Sequence, residues 1–265
     1  MSTSNEFTGL LLEQDEDRKV SNSIQTISND QLPEGDVTIA VKYSTLNYKD
    51  GMIIKGIGRL VRDYPHIPGI DFCGVVEDSS SPDYKPGDEV VLTGWRVGEI
   101  HWGGFATRAR VKSEWLVPLP KGLSLEQSMA IGTAGLTAML AIMTIEEHGL
   151  TPEKEGEVLV TGAAGGVGSI AVSILSNIGY DVAAGTGRAE QHDYLKSLGA
   201  KSIVIREELA EVPRGPLGGE RWLSVVDNVG GEGLGNVLLS VAYWGTVASV
   251  GNAGGIEFKS NVLPF

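Results

Sequence analysis

The stretch VLVTGAAGGVGSIAVSILSNIGYDVAAGTGR, residues 158–188, decides the fold of this chain. It begins with an apolar run that ends in a cluster of glycine and alanine. A segment with helical apolar spacing follows, and a second apolar run ends in Thr186-Gly187-Arg188. Strand, glycine turn, helix and strand within about 30 residues predict a βαβ unit with two parallel strands.

The pattern downstream of this unit continues in the same way. Strands are predicted in KSIVI (201–205), WLSVVDNVG (222–230) and GTVASVG (245–251), and helices in EQHDYLKSLG (190–199) and at about 231–242. Strands that alternate with helices predict a doubly wound parallel sheet. The fold class is therefore α/β for this half of the chain.

The first part of the chain is mainly β by alternation and turn composition. Strands are predicted at 7–13 and 36–44 and within PGIDFCGVVE (68–77), GDEVVLTG (87–94) and GGFATRARVK (103–112). The pattern changes at Ser124, which forms a capping box with Gln127 and begins a helix that runs to about His148. We therefore expect two domains, 1–123 and 124–265.

The glycine cluster is a binding signal for a dinucleotide. Residues 163–168 follow the pattern G-x-G-x-x-G with alanine in the first place, directly after a strand and at the start of a helix. The positive end of the helix dipole and its first-turn N–H groups then face an anion. We expect the pyrophosphate at the backbone of Ala163, Ala164, Gly165, Gly166 and Val167, with Gly168 allowing close packing of helix and strand.

The end of the second strand predicts which nicotinamide cofactor binds. A site for NAD places Asp or Glu there to bind the ribose 2′-hydroxyl, whereas this chain has Thr186-Gly187-Arg188, and Asp181 opens the strand at the opposite edge. Arg188 can pair with a 2′-phosphate, Thr186 can donate to it, and Arg206 after the next strand can add a second positive charge. The predicted cofactor is NADPH.

Composition excludes several other classes of protein. The formal net charge of −13 disfavours nucleic-acid binding. The single cysteine, Cys73, leaves no disulfide within the chain and no cysteine-rich zinc site. The N-terminal residues 1–19 have no long apolar core after a basic start, so we expect no secretory signal, and no stretch is expected to span a membrane.

One window opposes the overall negative charge. Residues 42–62 contain five basic residues and one acidic residue, Asp50: the basic ones are Lys42, Lys49, Lys55, Arg59 and Arg62. The window is either a solvated surface or a site for the phosphates of an anionic ligand.

Several motifs spread over nearly all 265 residues carry a family resemblance. They are LPEGDVTIAV, STLNYKDG, YPHIPGIDFCGVV, VVLTGWRVGEIHWGG, IGTAGLTAMLAIM, VTGAAGGVG, GYDVAAGTGR and YLKSLGA. With them the chain resembles the zinc-independent, quinone-oxidoreductase-like medium-chain dehydrogenase/reductases, and within these the acryloyl-CoA reductase subgroup. The resemblance implies a GroES-like β domain at 1–123, a Rossmann domain at 124–265, and a cleft that holds NADPH and substrate.

The resemblance also implies roles for individual residues. Tyr48 is the expected catalytic residue, at the nicotinamide half of the cofactor, where its phenol can orient the ring, donate to an enolate or deliver a proton. Asn47 is expected to hold that arrangement, and Arg96 and His101 to donate to a thioester carbonyl or a phosphate of coenzyme A. Asn252, in VGNAGG, is expected at the cofactor. Each of these residues also has a structural alternative as a packed, turn-forming or surface side chain.

Further expectations concern metal, assembly and chain length. Zinc-dependent relatives carry histidine after Pro-Gly, where this chain has Ile70, so no metal is expected. A cytoplasmic homodimer formed through the Rossmann sheets is implied by the resemblance. Family members continue for about 60 residues or more beyond the match to SNVLPF, comparable to a small domain. We therefore expect either a fragment or a natively short protein, without the parts of the nicotinamide pocket that this segment carries and with an open sheet edge.

The expected reaction is NADPH-dependent reduction of the C=C bond of a short enoyl-CoA, acryloyl-CoA to propionyl-CoA. Two alternatives stay open at this point. One is an NADPH:quinone oxidoreductase, which shares the fold and cofactor. The other is a protein that binds NADPH without catalysing a reaction.

Overall fold

The computed structural model describes residues 5–265. It divides into two compact units, one up to Thr133 and one from Ala134 to Phe265. The division falls inside a helix, whereas the predicted domain boundary at 123/124 precedes that helix and stays a prediction. The prediction that residues 1–19 contain no secretory signal includes residues 1–4. These four residues lie outside the described part of the chain.

The first unit is built from antiparallel strands. A hairpin of β1 and β2 stands beside a five-stranded sheet with the order β6-β3-β4-β5-β7 and a short helix, α1. The elements are β1 (Glu6–Gln14), β2 (Val20–Ser28), β3 (Val37–Ser44), α1 (Tyr48–Ile54), β4 (Asp71–Ser79), β5 (Glu89–Thr93), β6 (Arg108–Val111) and β7 (Val117–Pro118).

Alternation along the strands sets the core of this unit. Val37 and Ile39 of β3 and Val90 and Leu92 of β5 are buried, and they pack in one cluster with Phe72. Alternate residues of a strand point to one face of the sheet, which is why the period of two predicted these strands.

Three elements of this unit were not predicted, namely strand β2, helix α1 and the two-residue strand β7. Strand β2 has the sequence VSNSIQTIS and buries only Ile27, because its other side chains are polar or face solvent. Helix α1 has the sequence YKDGMII, in which Asp-Gly reads as a turn. It forms because Asn47 caps it and the Asp50 carboxylate accepts the Asn47 N–H at 2.8 Å.

The second unit is a doubly wound parallel sheet with the order β10-β9-β8-β11-β12. The fold class predicted from the sequence is confirmed. The elements are α2 (Leu125–Glu147), which begins in the first unit, β8 (Glu157–Val160), α3 (Gly166–Asn177), β9 (Asp181–Thr186), α4 (His192–Ser197), β10 (Ser202–Ile205), α5 (Arg206–Ala210), β11 (Trp222–Asp227), α6 (Gly231–Leu238) and β12 (Val241–Ser249).

Some boundaries in this unit agree with the prediction and others correct it. The capping box at the start of α2 is confirmed, since the Ser124 N–H donates to Gln127 Oε1 at 2.9 Å and the Gln127 N–H to Ser124 Oγ at 3.1 Å. The helix predicted at about 231–242 ends at Leu238, because the β-branched and aromatic run from Val241 belongs to β12. Helix α5 was not predicted.

Helix α2 contradicts the expectation that no stretch could span a membrane. Among the described residues it is the one helix long and apolar enough to do so by length and composition. Its small polar residues, such as Thr133 and Thr137, interrupt the apolar runs, while the mean hydropathy of the helix stays high. In this fold Ile142 and Ile145 of α2 are buried in the core of the parallel-sheet unit. The absence of a membrane partner stays a prediction.

Candidate functional site

The loop between β8 and α3 lies at the carboxyl edge of the parallel sheet and is anchored on both neighbouring strands. The Thr161 N–H donates to Val226 of β11 at 3.0 Å, and the Ala163 N–H to Gly185 of β9 at 3.0 Å. Chain order reverses between β8 and β11, and open α/β sheets bind ligands at such a switch point.

Close packing brings the start of α3 onto this loop. A Cβ on Gly168 would lie 2.4 Å from the Gly162 carbonyl oxygen and 2.7 Å from Ala163 Cα, which only glycine allows. The first-turn N–H groups of α3 have no earlier carbonyl within the helix and face outward at this edge. The arrangement suits an anion such as a pyrophosphate.

The end of β9 gathers one hydroxyl and two guanidinium groups. Arg188 is exposed and donates from its Nη2 to the carbonyl of Ala164 in the glycine loop at 3.2 Å. Arg206, the first residue of α5, lies against the backbone of Gly187, where an added Cβ would be 3.0 Å from its Nε. Thr186 accepts the Arg188 N–H at 3.2 Å.

No acidic residue occurs between Thr186 and Arg188, where β9 ends. Asp181 is the first residue of the strand, at the opposite edge of the sheet, and forms an ion pair with Lys201. The structure has Thr186, Arg188 and Arg206 at the edge of the sheet that the sequence predicted for them. It has Asp181 at the opposite edge, also as predicted.

A polar network between β8 and β11 was missed by the sequence analysis. Asp227 is buried and accepts from the Thr161 hydroxyl at 2.6 Å and from the Gly230 N–H at 2.9 Å. Asn228 donates from Nδ2 to the Thr161 carbonyl at 2.8 Å, which fixes the orientation of its amide. Polar residues at the ends of two adjacent parallel strands were the available signal.

The Asn228 side chain carries an unused acceptor. Its Oδ1 is buried and has no hydrogen-bond partner within residues 5–265. Buried polar atoms are nearly always bonded, so an orphan acceptor at a ligand-binding edge suits a donor from a bound molecule.

Asn252 lies in the loop that follows β12 and is exposed. The N–H groups of Val250 and Gly251 donate to the Asp227 carbonyl at 2.7 and 3.1 Å, which holds the start of this loop beside the end of β11. The structure thus brings Asn252 to the same edge as the glycine loop.

In the first unit Tyr48 begins α1 with 71% of its surface exposed. The preceding Asn47 donates from Nδ2 to Thr45 Oγ1 at 2.9 Å and to Asp71 Oδ2 at 3.2 Å. The predicted catalytic residue and its predicted neighbour therefore occupy one tightly bonded turn.

Two buried carboxyl groups, Asp50 and Asp71, support this turn, and neither was singled out from the sequence. Burial raises the pKa of the Asp50 carboxyl, and the neighbouring charge of Asp71 acts in the same direction. Asp50 still accepts two backbone N–H bonds, from Asn47 at 2.8 Å and from Ile70 at 3.1 Å. Asp50 and Asp71 are far apart in the sequence and form no local motif, so the sequence did not indicate that they support the same turn.

Arg96 lies in a constrained loop after β5. Arg96 and Trp95 are consecutive non-glycine residues with positive φ, 58° and 55°. Arg96 shares the buried Glu99 carboxylate with Lys49 of α1, at 3.4 and 2.9 Å. Glu99 therefore neutralises part of the positive charge of the window 42–62. Counting charged residues within the window had overstated that charge.

The His101 ring makes contacts within the first unit on two sides. Its Nε2 lies 2.7 Å from the Arg110 carbonyl, and its ring meets Trp115 edge-on with ring centres 5.0 Å apart. Burial lowers the pKa of this imidazole. The substrate-binding role predicted for His101 stays a prediction and would rest on Nδ1.

The position that carries a zinc ligand in zinc-dependent relatives is occupied by the buried side chain of Ile70. Within residues 5–265, no group of three or more His, Cys, Asp or Glu side chains is placed to hold a metal ion. Cys73 is buried in β4, and its thiol lies 3.1 Å from the Leu125 carbonyl.

The strand order and the glycine loop define the second unit as a dinucleotide-binding α/β fold of the Rossmann type. Comparison with known families agrees: residues 33–121 match the alcohol dehydrogenase GroES-like domain, and residues 166–265 match the zinc-binding dehydrogenase family. The chain belongs to the medium-chain dehydrogenase/reductase family, in its quinone-oxidoreductase-like branch.

Three relatives illustrate the similarity. A Ruegeria pomeroyi protein named "Acrylyl-CoA reductase AcuI" is 56% identical over 98% of this chain and 78% of its own length. The Escherichia coli YhdH structure with bound NADPH has 50% identity and a TM-score of 0.92, over 97% of this chain and 78% of that one. The Bacillus subtilis yhfP structure with NAD bound has 46% identity and a TM-score of 0.93, over 99% and 79%.

Proposed function

We propose that this chain reduces the C=C bond of a short enoyl-CoA with NADPH, converting acryloyl-CoA to propionyl-CoA. The observation that carries the proposal is the 56% identity to a protein named acrylyl-CoA reductase, which extends over 98% of the chain. The polar groups at the carboxyl edge of the parallel sheet and at the Asn47–Tyr48 turn support it.

The residues at the sheet edge fit NADPH. The backbone of residues 163–167 would hold the pyrophosphate, and Arg188, Arg206 and Thr186 would hold the 2′-phosphate. The orphan acceptor Asn228 Oδ1 would take a hydroxyl or amide donor of the cofactor, next to Asn252. Similar structures contain either NADPH or NAD, so the choice of NADPH rests on the two guanidinium groups and the missing carboxylate at the end of β9.

The reaction adds one hydride and one proton across the C=C bond. When bound, NADPH supplies the hydride that reaches Cβ of the substrate. Negative charge then develops on the thioester oxygen, and a proton must reach Cα. The Tyr48 hydroxyl would donate a hydrogen bond to that oxygen and stabilise the charge as it forms.

The basic groups of the window 42–62 and Arg96 favour an anionic substrate. Lys42, Lys55, Arg59 and Arg62 are exposed, and Lys49 and Arg96 retain one uncompensated positive charge between them after pairing with Glu99. These groups would attract the phosphates of coenzyme A, and Lys49 directly follows Tyr48.

A quinone is the second candidate substrate. The Bacillus subtilis relative, which is 47% identical over 98% of this chain, is named "Putative quinone oxidoreductase YhfP". A quinone would use the same cofactor residues but would not need the basic groups of the first unit. A homodimer, a cytoplasmic location and zinc independence remain predictions from the family resemblance.

The experiment is a comparison of turnover by the purified 265-residue chain. We expect NADPH to be consumed with acryloyl-CoA faster than with a benzoquinone, and NADH to be consumed slowly. Faster turnover with the quinone would favour the second candidate. NADPH binding without turnover of either substrate would indicate a binding protein.

A further inference from the structure

We propose that Asp71 is a positioning residue for the reaction, acting through Thr45 and Asn47 to fix the backbone from which Tyr48 projects. The proposal deepens the enoyl-CoA reductase function and rests on the role given there to Tyr48. In this proposal the buried Asp71 carboxylate, in β4, positions the Tyr48 turn as well as stabilising the fold.

The hydrogen bonds of Asp71 converge from two segments of the chain, residues 45–47 and Thr133. Its Oδ1 accepts from the Thr45 hydroxyl at 2.6 Å and from the Thr45 N–H at 3.2 Å. Its Oδ2 accepts from Asn47 Nδ2 at 3.2 Å and from the Thr133 N–H at 2.8 Å. Asp71 has no exposed surface, and its two carboxyl oxygens accept all four of these hydrogen bonds.

Tyr48 needs this support because its own ring cannot supply it. With 71% of its surface exposed, the ring is held by few packing contacts, so the position of its hydroxyl depends on the backbone of the turn. Asn47 sets that backbone as the residue that caps α1. Its side chain is tied to Asp71 and Thr45, and its N–H is tied to Asp50.

Asp71 also holds the break in helix α2. Gly132 leaves helical geometry with φ of 50° and ψ of −158°, and the helix resumes at Thr133, whose N–H points at Asp71 Oδ2. A carboxylate at the start of a helical segment is favoured by the helix dipole. One side chain thus bonds both the Tyr48 turn and the residue that follows the break in α2.

Thr45 allows a test that leaves the carboxylate in place. Its hydroxyl donates to Asp71 Oδ1 and accepts from Asn47 Nδ2, so it joins the two side chains. Thr45→Val keeps the shape and removes both bonds, whereas Thr45→Ser keeps the hydroxyl and removes one methyl group.

The experiment combines kinetics with a probe of Tyr48 that does not depend on turnover. We expect Thr45→Val and Asp71→Asn to lower kcat for acryloyl-CoA by about tenfold or more, with the KM for NADPH changed less than about threefold. Thr45→Ser should restore kcat to within about threefold of the unaltered chain. In protein labelled with fluorotyrosine, the fluorine resonance that disappears in Tyr48→Phe should shift or broaden in Thr45→Val and return in Thr45→Ser.

The two proposals fail in different ways. An unaltered chain that does not reduce acryloyl-CoA, while its Tyr48 resonance responds as described, would overturn the enoyl-CoA reductase function and leave the positioning role standing. An active chain whose Thr45→Val variant keeps both its kcat and its Tyr48 resonance would overturn the positioning role. A loss of kcat in Thr45→Ser as large as that in Thr45→Val would also overturn it, since the serine variant keeps the hydroxyl that makes both hydrogen bonds.

Discussion

Arg188 and Arg206 reach the end of β9 from different segments of the chain, one from the loop after that strand and one from the start of α5. Arg188 is tied to the Ala164 carbonyl, and Arg206 lies on the backbone of Gly187. Glycine at 187 leaves room for this guanidinium, because an added Cβ would lie 3.0 Å from Arg206 Nε.

We expect Arg188→Ala to raise the KM for NADPH by about 10- to 100-fold, since a hydrogen bond to a charged group contributes about 1.5–3 kcal/mol. The KM for NADH should change by less than about threefold, because NADH has no 2′-phosphate. Steady-state kinetics with both cofactors measures this. The matched control is Arg214→Ala, an exposed arginine in the loop before β11. Equal losses with both cofactors would contradict a phosphate-specific role for Arg188.

Helix α3 and the glycine loop act as one element because of how closely they pack. We expect Gly168→Ala to destabilise the chain by about 1–3 kcal/mol, as overpacking does, and to abolish protection by NADPH against thermal unfolding. The reason is the backbone of residues 162 and 163, which lies less than 3 Å from the added Cβ. Melting curves with and without NADPH measure both effects.

Gly233→Ala is the matched control for this prediction. Gly233 lies inside α6, and an added Cβ would have nothing within 4 Å. Alanine is the better helix former by about 1 kcal/mol, so this variant should be as stable as the unaltered chain or more so, with normal NADPH protection. If Gly168→Ala behaved like Gly233→Ala, the close-packed loop would not be needed for cofactor binding.

Elements with a strong local pattern could be predicted from the sequence. The unit β8–α3–β9 has apolar runs with the spacing of strands and of a helix, and glycine lies at its turns. The start of α2 could be predicted from the capping box of Ser124 and Gln127. Strand β2 was missed because its exposed faces leave no alternation to detect. Helix α1 was missed because its Asp-Gly step favours a turn, and only the hydrogen bond from Asn47 to Asp50 makes it helical.

At the scale of the molecule, the side chains of the candidate site meet over long sequence separations. Asp71 forms hydrogen bonds with Thr45 and Thr133, which lie 26 and 62 positions away in the sequence. Asn228 forms one with Thr161, 67 positions away. Such pairs leave no local periodicity, so the residues that support the site could not be predicted, whereas Tyr48, Arg188 and the glycine loop carry motifs of their own.

Buried histidines predict how stability depends on pH. Burial lowers the pKa of His66, whose Nε2 donates to the Gly98 carbonyl at 2.8 Å, and that of His101. Because their folded-state pKa values lie below the unfolded value of about 6.5, the stability they contribute is present above that pH and is lost as the pH falls. We expect the thermal midpoint to decrease between about pH 7 and about pH 5.

The variant His66→Gln should flatten this decrease, since glutamine can donate to Gly98 without titrating. His148→Gln, at an exposed position, should leave the pH dependence unchanged. Asp50 acts in the opposite direction, because a raised carboxyl pKa loses stability as the pH rises, so the comparison is made between each variant and the unaltered chain. Identical slopes for all three proteins would contradict the role given to His66.

The most direct test of the central claim follows the hydride itself. The 265-residue chain is incubated with acryloyl-CoA and NADPH that carries deuterium at the transferred position of the nicotinamide, and the acyl-CoA product is analysed by mass spectrometry and NMR. The account predicts propionyl-CoA with one deuterium at Cβ and a solvent-derived hydrogen at Cα. Unchanged acryloyl-CoA, or propionyl-CoA whose deuterium lies at Cα, would contradict it.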